Sequence, residues 1–178
     1  MSEHKSYLIE QSEKVVDLQQ KLEEARAVDD RSACELLFVE LERIGDDLTG
    51  LNPSLDGDDL AFSNFMLGSI CSIMGLWTHA EQAYEQALSH WPEHVGLLNE
   101  MAECQFELGN YSKAADSLER SIKFGGQTPI LLHDLAVAYA WNGDVAKARI
   151  TLINGMARFP NDTTLTEALK ELDLTHPQ

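Results

Sequence analysis

The sequence predicts an all-α fold: a solenoid of antiparallel helix pairs with an N-terminal helical hairpin and a C-terminal capping helix. Three observations carry that expectation. Gly75, Gly109 and Gly143 stand 34 residues apart, and so do Ala80, Ala114 and Ala148. Apolar residues recur at helical spacing inside each period, as at Leu132, Leu135, Ala136 and Tyr139. Pro92 and Pro160, two periods apart, each stand where a helix should stop.

The same step of 34 links Leu67, Met101 and Leu135, then Gly68, Ala102 and Ala136, then Tyr84, Leu118 and Leu152. It also links the small residues Ala87, Ser121 and Gly155. Each column has a physical reading. A glycine ends the first helix of a unit, because the left-handed cap conformation suits glycine. Asn110-Tyr111 and Asp144-Val145 restart the chain with a polar capping residue. Ala80, Ala114 or Ala148 lets the second helix approach the first closely, and Tyr84, Leu118 or Leu152 fills the space one turn later. Three units follow within the region 60–162, at 61–94, 95–128 and 129–162.

These residues resemble the tetratricopeptide repeat, whose pattern is W-x₂-L-G-x₂-Y, then A-x₃-F, then P over 34 residues. Leu67-Gly68, Ala80, Tyr84 and Pro92 match it in the first unit, and Leu135 to Tyr139, Ala148, Leu152 and Pro160 match it in the third. Asn64, Leu98 and Leu132 stand at the tryptophan place, Cys71 and Gln105 at the tyrosine place, and Gly125-Gly126 replaces the second proline. The resemblance implies a solenoid that binds another protein in a concave groove lined by the first helices. It does not name the partner.

The flanks lie outside the register. In residues 1–50, Leu8, Val15 and Leu22 fall seven apart with Gln11, Leu18 and Ala25 interleaved, a narrow seam for helix-on-helix packing. Ser32 and Glu35 read as a capping box opening a second helix, with Leu36, Leu37, Leu41, Ile44 and Leu48 on one side. Residues 51–59 read as a linker, with Asn52-Pro53 and Asp56-Gly57 as turn signals. The N-terminal hairpin could pack on the repeats, self-associate into a homodimer, or lay its first helix in the groove. At 163–175, Leu165, Ala168, Leu169 and Leu172 form a capping helix.

By the register of the resemblance, the partner-binding groove comprises Phe62, Phe65, Ser69 and Ile73 from the first unit. Asn99, Glu103, Phe106 and Glu107 come from the second, and Ile130, His133, Val137 and Trp141 from the third. Phe65, Phe106 and Trp141 are aromatics of the type that anchor interfaces. The groove suits a protein or peptide segment with apolar anchors and a basic residue. The clamp for chaperone C-terminal carboxylates found in some repeats of this type needs Lys, Asn and Arg, whereas Phe65, Ser69, Glu100, Ile130 and Asp134 stand at those places.

Charge narrows the partner class. The 178 residues carry a formal charge of -17, and such a surface repels phosphate backbones and anionic headgroups, so neither nucleic acid nor membrane is expected. Up to Asp59 there are 16 acidic against 6 basic residues, a charge of -10, which leaves -7 for the rest. The N-terminus shows no basic stretch followed by an apolar run, and no stretch is apolar enough to span a bilayer. Cys34, Cys71 and Cys104 are too few for a disulfide framework, and a reducing cytoplasm fits.

No cofactor, metal or catalytic constellation is expected. His79, His90 and His94 with Glu93 do not share a helical face, so a metal site is not read there. Asp56-Gly57-Asp58-Asp59 lacks the spacing of a calcium loop. The chain reads as an adaptor or chaperone and not as an enzyme. Its small, acidic, three-repeat layout with an N-terminal helical extension is similar to bacterial type III secretion chaperones for translocator proteins. A structural self-assembly module is the alternative from a different class.

Overall fold

A computed structural model describes residues 3–176 of the chain. Residues 1 and 2 of the expected N-terminal hairpin lie outside the described residues. Within them the chain forms α1 (Glu3–Ala27), α2 (Arg31–Leu51), a single 3-10 turn (Asn52–Ser54), α3 (Gly57–Ile73), α4 (Trp77–His90), α5 (Val95–Glu107), α6 (Tyr111–Gly125), α7 (Pro129–Trp141), α8 (Val145–Arg158) and α9 (Thr163–Thr175). No strand forms among the described residues. The chain divides into two compact units, residues 1–92 and 93–178.

In the first unit, all six seam residues of α1, namely Leu8, Gln11, Val15, Leu18, Leu22 and Ala25, are buried. The seam packs within the chain: α1 lies against α2 and α3, and Leu8, Val15 and Leu18 share a core with Leu41, Ile44 and Leu48 of α2 and Met66 and Ile70 of α3. Two details of the sequence reading need correction. Asp30, not Ser32, caps α2, because Asp29 at φ 55 turns the chain and aims the Asp30 carboxylate at the Ala33 amide, 3.0 Å away. Leu36 is 71% exposed, since it falls one residue off the stripe of Leu37, Leu41, Ile44 and Leu48.

The segment read as a linker is pinned down. Asn52 Nδ2 donates to Asn64 Oδ1 at 3.0 Å, Ser63 Oγ donates to Asn52 Oδ1 at 2.5 Å, and Leu55 is buried in the core. The α3–α4 hairpin then closes at one tight point. A methyl group on Gly68 would overlap the Tyr84 ring, so the largest second-helix residue of its column faces the smallest first-helix residue of its own. In the later hairpins both sizes shift together, to Ala102 with Leu118 and Ala136 with Leu152.

In the second unit, α5 packs on α6, α6 on α7, and α7 on α8, so consecutive helices alternate in direction. Gly109 and Gly143, at φ 71 and 88, end α5 and α7 in the left-handed region, as Gly75 at φ 73 does after α3. Asn110 and Asp144 stand at the starts of α6 and α8 but make no side-chain capping bond, which corrects the role expected of them. The working caps lie one helix earlier or later: His94, Thr128 and Asp162, again 34 apart, accept from the amides of Leu97, Leu131 and Leu165 at 3.0, 3.2 and 3.2 Å. The register therefore extends into α9. That helix starts as a fourth first helix and packs on α7 and α8, with Leu165 and Leu172 in their core. Lys170 occupies the column of Gly68, Ala102 and Ala136, where a following second helix would need a small residue.

Candidate protein-binding site

All eight groove residues expected from the second and third units, Asn99, Glu103, Phe106, Glu107, Ile130, His133, Val137 and Trp141, line one concavity of about 500 Å³. It opens between α5 and α7, with α6 packed against both from behind. Ala102, Phe106, Leu118, Leu131 and Val137 give the cavity an apolar lining. Glu100, Glu103 and Glu107 from α5 and Asp134 from α7 make the lining acidic as well, and among the described residues no lysine or arginine lines it.

Sequence reasoning missed five residues, Glu100, Ala102, Leu118, Leu131 and Asp134, as part of the cavity lining. All but Leu118 belong to neighbouring positions on a helix already placed in the groove, so helical spacing alone could have found them. It also missed Tyr111, whose ring centroid stands 5.1 Å from Trp141 and 6.2 Å from Phe106. Phe106 and Trp141 meet edge to face at 5.9 Å, completing an aromatic trio at one end of the concavity. Trp141 remains 61% exposed and Ile130 70% exposed, so the trio is braced on the protein side and open on the other.

Polar contacts hold the walls. Ser121 Oγ donates to Asn99 Oδ1 at 2.5 Å, which fixes the Asn99 amide against α6. His133 Nδ1 lies 2.9 Å from Asp134 Oδ1, in contact with a carboxylate of its own helix. Outside the cavity, the Tyr139 hydroxyl donates to the Glu119 carboxylate between α7 and α6. Burial together with that carboxylate pushes the hydroxyl well above the usual tyrosine range.

The four first-unit residues are placed differently. Phe62 and Ile73 are half-buried and pack against the α1–α2–α3 core, and the Phe62 ring stands 6.5 Å from Trp91. Phe65 packs 6.1 Å from Tyr84. Ser69 Oγ donates to the Phe65 carbonyl at 3.1 Å and accepts from the Tyr84 hydroxyl at 3.4 Å. These side chains are engaged within their own unit.

The other candidates from the sequence fall into structural roles. His94 Nδ1 caps α5, and Asp58 Oδ1 accepts from the Trp91 indole at 2.8 Å. Among the described residues, no group of three or more His, Cys, Asp or Glu is placed to hold a metal ion. Cys34, Cys71 and Cys104 form no disulfide, and burial pushes the Cys71 thiol up. Among the described residues, no helix is long and apolar enough to cross a membrane.

The comparisons agree with this geometry. The family model described as tetratricopeptide repeat matches residues 74–130. No curated protein sequence matches the chain. Among solved structures, the nearly identical TPR-like repeats from Podosopora anserina are similar at TM-score 0.66 and 18% identity, covering 90% of this chain and 86% of that one. The ArsTM double mutant of MamA from RS-1 is similar at TM-score 0.67 and 14% identity, covering 89% and 86%. A thermophilic TPR protein of Thermus thermophilus is similar at TM-score 0.55 and 16% identity, covering 90% and 99%. The fold is that of tetratricopeptide solenoids, a scaffold for protein–protein interaction. Residues 74–130 thus match the tetratricopeptide-repeat model, and the repeat register and stacked hairpins on either side of that stretch resemble the same repeat.

Proposed function

We propose that this chain is an adaptor or chaperone that holds a segment of another protein in the concavity between α5 and α7. One observation carries the reading. Eight residues chosen by register converge on a single cavity whose two outermost apolar side chains, Ile130 and Trp141, are exposed. Exposed aromatic and branched side chains around a preformed apolar lining are what a partner's apolar anchor would desolvate. The aromatic trio is already braced, so little ordering would oppose binding there. Packing of Leu8, Val15 and Leu18 against α2 and α3 favours this reading over self-assembly through the N-terminal seam. A reducing cytoplasm suits three thiols that form no disulfide.

A photo-crosslinking side chain placed at Ile130, in the cells that make the protein, tests the reading. The same group at Ile150, 59% exposed on α8, is the control. Adducts to a partner protein are expected from Ile130 and not from Ile150. Adducts from Ile150 with none from Ile130 would contradict the placement of the site.

A further inference from the structure

We propose that the concavity takes a segment bearing one apolar side chain between two lysine or arginine residues, about three positions away on either side. This rests on the preceding reading of the cavity as a segment-binding site and adds the charge pattern of the occupant. The argument comes from extending the register into α9. The columns that hold Ile130, His133, Val137 and Trp141 on α7 hold Thr164, Glu167, Glu171 and Thr175 on α9. The corresponding places on α5 hold Gly96, Asn99, Glu103 and Glu107.

The apolar stripe of α7 therefore runs between two acidic rails, Glu103 and Glu107 on one side and Glu167 and Glu171 on the other. All four carboxylates are exposed, and none is in an ion pair or side-chain hydrogen bond among the described residues. Lys170 lies between the α9 pair in sequence but belongs to the column that faces a hairpin's second helix. The C-terminal ends of α5 and α7 lie beside Glu107 and Trp141, and their terminal carbonyls add partial negative charge. Exposed carboxylates without partners on both sides of an apolar anchor site favour a cation on both sides of that anchor.

Spacing follows from elementary geometry. α9 packs directly on α7 while α5 faces α7 across the cavity, so with packed helices roughly 8–10 Å apart and the cavity at least as wide, the two rails are on the order of 20 Å apart across α7. An extended chain advances about 3.3 Å per residue, so crossing from rail to rail takes about six residues, with the anchor midway.

The probe is the peptide acetyl-Arg-Ser-Gly-Leu-Gly-Ser-Arg-amide, titrated to millimolar concentration into the ¹⁵N-labelled full chain at low salt. Its controls carry citrulline for both arginines, or glycine for leucine. The amide signals of Ile130 and Val137 and the indole signal of Trp141 are expected to shift. Affinity should fall about tenfold for the citrulline peptide and by a similar factor in Glu167→Gln/Glu171→Gln, whose exposed positions leave the core untouched. Equal binding of the arginine and citrulline peptides, or full affinity in the double variant, overturns the charge pattern and leaves the cavity reading standing. Undiminished binding of the glycine peptide overturns the central apolar anchor. A probe that moves none of the three cavity signals overturns both readings.

Discussion

Helices α3 and α7 occupy the same place in their repeats, yet their groove-facing residues have opposite fates. On α3, Phe62 and Ile73 are drawn into the core that α1 and α2 build over it. On α7, Ile130 and Trp141 stay 70% and 61% exposed. The register says which way a side chain leaves its helix. What lies opposite decides whether that side chain stabilises the protein or remains free for a partner. The N-terminal hairpin makes that difference for α3, since its seam of Leu8, Val15 and Leu18 buries against Met66 and Ile70.

The comparison can be broken or sharpened by substitution, the largest effect first. Gly68→Val places a branched side chain where a single methyl group would already overlap Tyr84. A loss of about 3 kcal/mol is expected in urea unfolding. Adding Tyr84→Leu, which gives the hairpin the larger-first, smaller-second pairing of the later repeats, should recover most of it. No recovery would mean that the small and large columns do not compensate each other. Phe62→Ala should cost about 2–3 kcal/mol, because it removes a ring packed on the first-unit core.

Trp141→Ala should cost only about 1 kcal/mol, the worth of its edge contacts with Phe106 and Tyr111. Equal losses for Phe62→Ala and Trp141→Ala in urea titrations would erase the distinction between the two helices. Thr128→Ala removes the α7 cap bond at 3.2 Å, and about 1 kcal/mol is expected, read as faster exchange of the Leu131 amide.

The smallest effect is a pH dependence. The hydroxyl of Tyr139 holds its proton to higher pH in the folded chain than its ordinary value of 10.0. Its contribution is therefore complete below pH 10.0 and is lost as pH rises above that value. Tyr139→Phe should flatten the alkaline end of a stability–pH curve and leave the neutral region nearly unchanged. An alkaline limb as steep as in the parent would assign that sensitivity to another group.

The fold was legible because the period is written in backbone-critical residues. Gly75, Gly109 and Gly143 mark places where φ is positive, and the small columns mark where helices touch. The cavity was legible from the same register, down to all eight expected residues of its α5 and α7 walls. Three things were not legible. Leu36 and Leu37 both look apolar, and only packing shows which one turns inward. Asp30 outcompetes Ser32 as a cap through a left-handed Asp29 that composition does not announce. The engagement of Phe62 and Ile73 depends on contacts with α1 and α2, distant in sequence and outside the repeat, so no periodicity within the repeats could report it.

The most direct test of the central claim is the affinity of Trp141→Ala and Phe62→Ala for the partner segment recovered by cross-linking at Ile130, measured by calorimetry. The account expects Trp141→Ala to weaken binding by about 2 kcal/mol, roughly thirtyfold, with Phe62→Ala within about twofold of the parent at a temperature where both are folded. Undiminished binding by Trp141→Ala, with loss in Phe62→Ala, would contradict it.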